Sequence, residues 1–128
     1  MVTPPKDKIL CIDDDDTCDL VKCLLEQEGF QVVACSTAQE GIDYIKANNL
    51  KLVILDNRLT KTNGIEVCKE IRSFNSHIPI LFFSGEARQS EINKALQAGA
   101  ASTYLVKPLG FEKPAETVIR LLREVNRN

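Results

Sequence analysis

Apolar residues fall along the chain in five short runs, each followed by a polar turn and then by apolar positions at helical spacing. The runs are Ile9–Ile12, Val32–Cys35, Leu52–Leu55, Pro79–Phe83 and Ser102–Val106. Leu52-Val53-Ile54-Leu55 is uninterrupted and contains β-branched residues, the pattern of a strand buried on both faces. Between the runs, Leu20, Val21, Leu24 and Leu25 predict a first helix with Asp16 as N-cap and Gly29 as its stop. Thr37-Ala38-Gln39-Glu40 has the capping-box form and opens a second helix carrying Ala38, Ile42 and Ile45, ended by Asn48-Asn49. Asn63-Gly64-Ile65-Glu66 opens a third, with Val67, Ile71 and Phe74 on one face. Ile92, Ala95, Leu96 and Gly99 mark a short fourth. Val118, Leu122 and Val125 mark a fifth that starts near residue 112, where Pro114 blurs the boundary. Strands alternating with helices through short loops predict a parallel sheet covered on both faces, because right-handed crossovers place the helices there.

The chemistry sits at the strand ends. In such a sheet, ligands collect at the carboxyl ends of the strands. The first run ends in Asp13-Asp14-Asp15-Asp16, the third in Asp56, the fourth in Ser84-Gly85 and the fifth in Lys107-Pro108. Each has a plain structural reading as well. Asp56 and Ser84 suit turns, an aspartate run suits a helix N-terminus, and a lysine suits solvent. The conjunction is what points to chemistry. Three carboxylates on one rim repel one another unless a cation neutralises them. Oxygen donors without His or Cys select a hard ion such as Mg²⁺ that keeps several waters. Lys107 can pair with Asp56 at rest and with an added phosphoryl group afterwards, and the Ser84 hydroxyl can bond a phosphoryl oxygen. That set suits phosphoryl transfer onto the Asp56 carboxylate.

Composition narrows the field. At 128 residues the chain fits one domain able to bury a core without staples. A net charge of −2 argues against direct nucleic-acid binding, which needs a basic field. Cys11, Cys18, Cys23, Cys35 and Cys68 form no CxxC pair and predict reduced, buried thiols. No apolar run approaches the ~20 residues of a membrane span, and Met1–Lys6 is too polar for a signal peptide. A cytoplasmic protein without a membrane segment is expected.

Ile12-Asp13-Asp14-Asp15, Leu55-Asp56 with Gly64 eight residues on, Phe83-Ser84-Gly85 and Tyr104-Leu105-Val106-Lys107-Pro108 resemble the receiver domain of two-component response regulators, in the chemotaxis-regulator-like superfamily. The resemblance implies a flavodoxin-like (βα)5 three-layer sandwich with a five-stranded parallel sheet in the order 2-1-3-4-5. The resemblance covers a receiver domain over 8–125 and leaves a tail over 126–128, while Pro4-Pro5, which disfavour regular structure, make 1–7 a flexible lead. Asp56 would be the phosphoacceptor, served by a sensor histidine kinase or a histidine phosphotransfer protein. Mg²⁺ or Mn²⁺ would be held by Asp14, Asp56 and the backbone carbonyl of Arg58, with Asp13 acting through a water. Ser84 and Tyr104 would form the switch, and Lys107 would contact the phosphoryl group ahead of a cis peptide at Pro108. Phosphorylation would alter the face made by the fourth helix, fifth strand and fifth helix, for a downstream protein target or a dimer partner. Such a protein acts only on its own phosphorylation and dephosphorylation. Three positions depart from the family pattern: Thr60 stands where proline is common, which implies a looser loop; Gly85 stands where alanine is common; and the stretch Gly99–Ser102 is one residue longer than usual before the last strand. Arg58 and Glu86, two residues beyond Asp56 and Ser84, could pair and screen the site from water, and so set the lifetime of the phosphorylated state; an exposed pair of that kind is otherwise worth at most ~1 kcal/mol.

Other readings fit less well. A phosphatase of the haloacid dehalogenase type needs a second aspartate where Arg58 stands. A flavin protein needs a phosphate-cradling loop after the first strand, where four aspartates would repel the flavin phosphate. A degenerate receiver used only for docking would not need Asp13, Asp14, Asp56, Ser84 and Lys107 together. No effector is recognisable after residue 125, so a complete single-domain regulator and a receiver cut from a longer protein are both compatible with the chain.

Overall fold

The computed structural model describes residues 7–99, 104–107, 116–120 and 123. The elements run β1 (Lys8–Ile12), α1 (Asp15–Glu26), β2 (Gln31–Cys35), α2 (Ala38–Ala47), β3 (Leu52–Leu55), α3 (Gly64–Phe74), β4 (Ile80–Ser84), α4 (Gln89–Gln97) and β5 (Tyr104–Val106). A final helical stretch covers 116–120. The strands are all parallel and lie in the order β2-β1-β3-β4-β5. The flavodoxin-like arrangement expected from the sequence is therefore the one observed. The lead over 1–6, Ala100–Thr103, the cis peptide at Pro108, the helix start with Pro114, Leu122, Val125 and the tail lie outside the described residues.

Two apolar layers hold the sheet. Leu10, Ile12, Val53, Leu55, Ile80 and Phe82 pack under Ile42, Ile45, Val67, Ile71 and Ala95 of α2, α3 and α4. Ile9, Cys11, Leu52, Ile54, Leu81 and Phe83 pack on the other side against Cys18, Val21 and Leu25 of α1 and against Val118. All four residues of β3 are buried, each burial contributing about 1.5–3 kcal/mol.

The chain leaves β1 for β2 on one side and re-enters as β3 on the other. The carboxyl ends of β1 and β3 therefore flank the point where the winding direction reverses, the place where such sheets leave a crevice. Register makes those ends flush. Ile12 pairs with Leu55, Leu55 with Phe82, and Ser84 with Val106. Asp13, Asp56, Ser84 and Lys107 are thus brought to one rim, tied by Asp56 N–H to the Ile12 carbonyl at 3.1 Å and Lys107 N–H to the Ser84 carbonyl at 2.8 Å.

Several sequence expectations shift. Asp14, not Asp16, caps α1: the helix starts one residue after Asp14, whose Oδ1 accepts from the Thr17 N–H at 2.7 Å. Leu20, Phe74 and Leu96 are exposed rather than core residues. Each helix touches the sheet through a stripe narrower than its apolar spacing, which on α1 is Thr17, Cys18, Val21 and Leu25. Phe74 lies at the end of α3 and is covered by the Lys46 ammonium, 5.1 Å from its ring centroid. Four of the five thiols are buried as expected, but Cys23 is exposed on the outer side of α1. The capping box of α2 forms with a variation. Thr37 Oγ1 accepts from the Glu40 N–H at 3.2 Å and donates to Glu40 Oε1 at 2.9 Å. No helix among the described residues is long and apolar enough to cross a membrane.

Candidate functional site

Asp13 and Asp56 emerge side by side from β1 and β3, and both are buried, Asp13 at 1% exposure. Burial pushes the Asp13 carboxyl up to about 7; its bond to Lys107 opposes this and the Asp56 charge adds to it. The Lys107 ammonium reaches across from β5 to Asp13 Oδ2 at 2.9 Å and to Asp56 Oδ2 at 3.6 Å. Its closer partner is therefore Asp13, where the sequence pointed to Asp56. Burial works to lower Lys107, but Asp13 and then Asp56 outweigh it and keep the amine protonated. Thr17 Oγ1, 3.4 Å from Nζ, was not foreseen in this site. It is the third residue of α1 and reads from sequence only as a helix position. Asp14 is exposed, and its carboxyl is held below the usual range chiefly by the Thr17 N–H that it caps.

The loop after β3 is short of slack. The Arg58 N–H bonds Asp56 Oδ1 at 3.3 Å, and an antiparallel bridge joins Arg58 to Asn63. Lys61, at the loop tip, takes φ 72°, the left-handed region. Asn63 caps α3 through Glu66 N–H at 3.0 Å. Gly64 follows because α3 starts against the backbone of Asp56: a Cβ there would collide with the Asp56 carbonyl oxygen and lie 2.9 Å from Asn57 Cα. The loop is thus tied at both ends despite Thr60.

Ser84 is fully buried, and its hydroxyl accepts from the Glu86 N–H at 3.2 Å rather than engaging Asp56. Tyr104 stacks on Phe82, with ring centroids 5.5 Å apart and planes at 9°. Its hydroxyl donates to the Glu86 carbonyl at 2.8 Å. Glu86 thus holds both Ser84 and Tyr104 through its backbone. Its side chain takes Arg58 Nη2 at 3.5 Å, the pair the sequence raised. Arg88 holds it more closely, through Nε at 2.8 Å, Nη2 at 3.2 Å and the backbone N–H at 3.0 Å. These Arg88 bonds chiefly hold the Glu86 carboxyl down at about 2. Arg88 escaped the sequence reading. The available signal was that no Ser, Thr, Asp or Asn stands at the N-cap of α4; Arg88 holds that position and supplies no side-chain cap bond.

The donor set suits a hard divalent cation. A buried carboxyl pushed up beside a second carboxylate is short of positive charge even with Lys107 at hand. The three carboxylates do not form a ready-made cage: among the described residues, no three Asp, Glu, His or Cys side chains converge on one point. An ion that keeps most of its waters needs no such cage.

The family model for the response regulator receiver domain matches residues 9–119. The chain belongs to that family. As a receiver of two-component response regulators it is a signalling protein, in a family where phosphorylation and Mg²⁺ binding are typical. It is 33% identical over 115 residues to the transcriptional regulatory protein ZraR of Salmonella typhimurium, covering 89% of this chain and 26% of that protein. It is 32% identical over 120 residues to the response regulator MprA of a Mycobacterium species, covering 93% of this chain and 52% of that one. The receiver thus spans a quarter to a half of the length of these relatives. Among solved structures, a two-component response regulator from Clostridium difficile superposes with a TM-score of 0.88 at 33% identity, covering 94% of this chain and 99% of that one. A CheY-like receiver domain protein from Methanospirillum hungatei gives a TM-score of 0.88 at 27% identity, covering 96% and 98%.

Proposed function

We propose that this receiver is a phosphorylation-controlled switch with Asp56 as phosphoacceptor. The observation that carries the proposal is the shared ammonium: Lys107 bridges Asp13 and Asp56 at the β1–β3 crevice, where one more cation and a phosphoryl group complete the charge balance. The donor is a phosphohistidine on a sensor histidine kinase or a histidine phosphotransfer protein. An Asp56 carboxylate oxygen forms the new P–O bond while the P–N bond breaks, and the departing imidazole nitrogen keeps the electron pair. In hydrolysis, water oxygen bonds phosphorus, the P–O bond to Asp56 breaks, and phosphate leaves. Asp14, Asp56 and the Arg58 carbonyl would hold Mg²⁺ or Mn²⁺, with Asp13 orienting one of its waters. Bound there, the ion offsets charge on the transferring oxygens. Lys107 and the Ser84 hydroxyl then bond the phosphoryl oxygens, which costs Ser84 its bond from Glu86. Tyr104 shares Glu86 with Ser84, so the change reaches β5 and the face it forms with α4 and the last helix. That face would meet a downstream protein target or a second copy of the chain. Arg58 and Glu86 would tune the lifetime of the phosphorylated form by screening it from water.

The test is incubation with acetyl phosphate or phosphoramidate, read by intact-mass spectrometry. One Mg²⁺-dependent phosphoryl adduct is expected on the wild type and none on Asp56→Asn. An Mg²⁺-dependent adduct that survives Asp56→Asn would overturn the assignment.

A further inference from the structure

Around Glu86, one carboxylate of 8% side-chain exposure carries two guanidinium groups that are 78% and 73% exposed. The two are not equivalent. Arg88 makes a bidentate contact and adds its backbone N–H, whereas Arg58 makes one contact at 3.5 Å. Arg58 is also the arginine whose backbone N–H bonds Asp56. Both line an open cleft of about 610 Å³ between α3 and α4, so the Arg58 side chain has room to turn.

We propose that Arg88 is a positioning residue that prolongs the phosphorylated state by releasing Arg58 from Glu86. The inference rests on Asp56 being the phosphoacceptor. A phosphoryl group brings close to two negative charges and three acceptor oxygens, and a guanidinium is well matched to them. Arg58 can leave Glu86 for that group only if Glu86, nearly closed off from water, keeps another positive partner. A buried charge stripped of its partners is strongly unfavourable. Arg88 supplies the partner. With Arg88 in place, Arg58 moves over the phosphoryl group and covers it from attacking water. Without Arg88, Arg58 stays on Glu86 and the acyl phosphate stands open. Arg88 touches no reacting atom.

The Arg88→Ala variant isolates the guanidinium, because the backbone N–H of residue 88 still reaches Glu86. Arg58→Ala likewise leaves the backbone carbonyl of residue 58 in place. After labelling with acetyl phosphate and Mg²⁺ and removal of both the donor and excess ion, decay of the adduct is followed by intact mass. Arg88→Ala and Arg58→Ala should each shorten the lifetime about threefold to fivefold. Arg58→Ala/Arg88→Ala should decay no faster than Arg58→Ala alone. Arg88→Ala/Glu86→Gln should recover the wild-type lifetime, since no buried charge then detains Arg58. An unchanged lifetime in Arg88→Ala, full additivity with Arg58→Ala, or no recovery with Glu86→Gln overturns the inference while leaving Asp56 as phosphoacceptor. An unlabelled wild type, by contrast, removes the proposed function and this inference together. A mere loss of packing at α4 would not be repaired by Glu86→Gln.

Discussion

At the β1–β3 end of the rim, the buried carboxylates of Asp13 and Asp56 share the ammonium of Lys107; at the β4–α4 end, the carboxylate of Glu86 holds both Arg58 and Arg88. The first cluster is short of positive charge and buried; the second has a surplus, with Glu86 covered and its two guanidinium groups largely in solvent. Burial turns the first imbalance into a raised Asp13 carboxyl, whereas the second leaves Glu86 fully ionised. Under the proposed function the two would act in turn: the deficit would draw in a metal ion, and the nearby surplus would turn to the phosphoryl group that follows.

The largest break in this comparison is Lys107→Ala. It leaves Asp13 buried without its cation and should cost about 3 kcal/mol of stability at pH 8. The cost should shrink toward pH 5, where Asp13 is protonated. The wild type carries the same linkage in weaker form. The folded Asp13 titrates at about 7 against 3.8 for an ordinary carboxyl, so between those values the folded chain holds a proton the unfolded chain has lost. Metal-free stability should therefore fall as pH rises through that window and then level off. Mg²⁺ should stabilise more at pH 8 than at pH 6, because the ion competes with that proton. Urea titrations at these pH values, with and without Mg²⁺, measure both effects; a Lys107→Ala deficit independent of pH would mean that Lys107 does not serve Asp13.

At the other end the expectation is non-additivity. Arg58→Ala and Arg88→Ala should each leave the thermal midpoint near wild type, because the remaining arginine still neutralises Glu86. The double variant should lose clearly more than the sum of the two. Additive midpoints would make the two arginines independent surface charges. The smallest expected effect lies between the two clusters. Lys61→Gly relieves a left-handed backbone costing ~1–2 kcal/mol in an L residue, against ~0.5–1 kcal/mol of added glycine freedom. A gain of about 0.5 kcal/mol in urea should result, with phosphorylation unchanged.

Much of this was legible in the chain. Leu52–Leu55 followed by Asp56 predicts a doubly buried strand with a carboxylate at its end, because four consecutive apolar residues leave a strand no polar face. Thr37 and Asn63 predict their own helix starts because capping is satisfied within four residues. The same locality argument fails for Asp13–Asp16. Any of the four can cap, and the choice of Asp14 depends on where β1 stops pairing with β2 and β3. It fails for Leu20, Phe74 and Leu96 because helical spacing specifies a face but not how much of it the sheet covers.

By itself, the sequence determined the alternation of strands and helices, and which chemical groups stand at the strand ends. Those depend on periodicity and on contacts a few residues apart. Only the tertiary structure decided that Lys107 lies closer to Asp13 than to Asp56, that Thr17 joins them, and that Arg88 outcompetes Arg58 for Glu86. These choices turn on differences of less than 1 Å between charges. Such differences arise from strand register and loop closure, which bring together residues as far apart as 13 and 107.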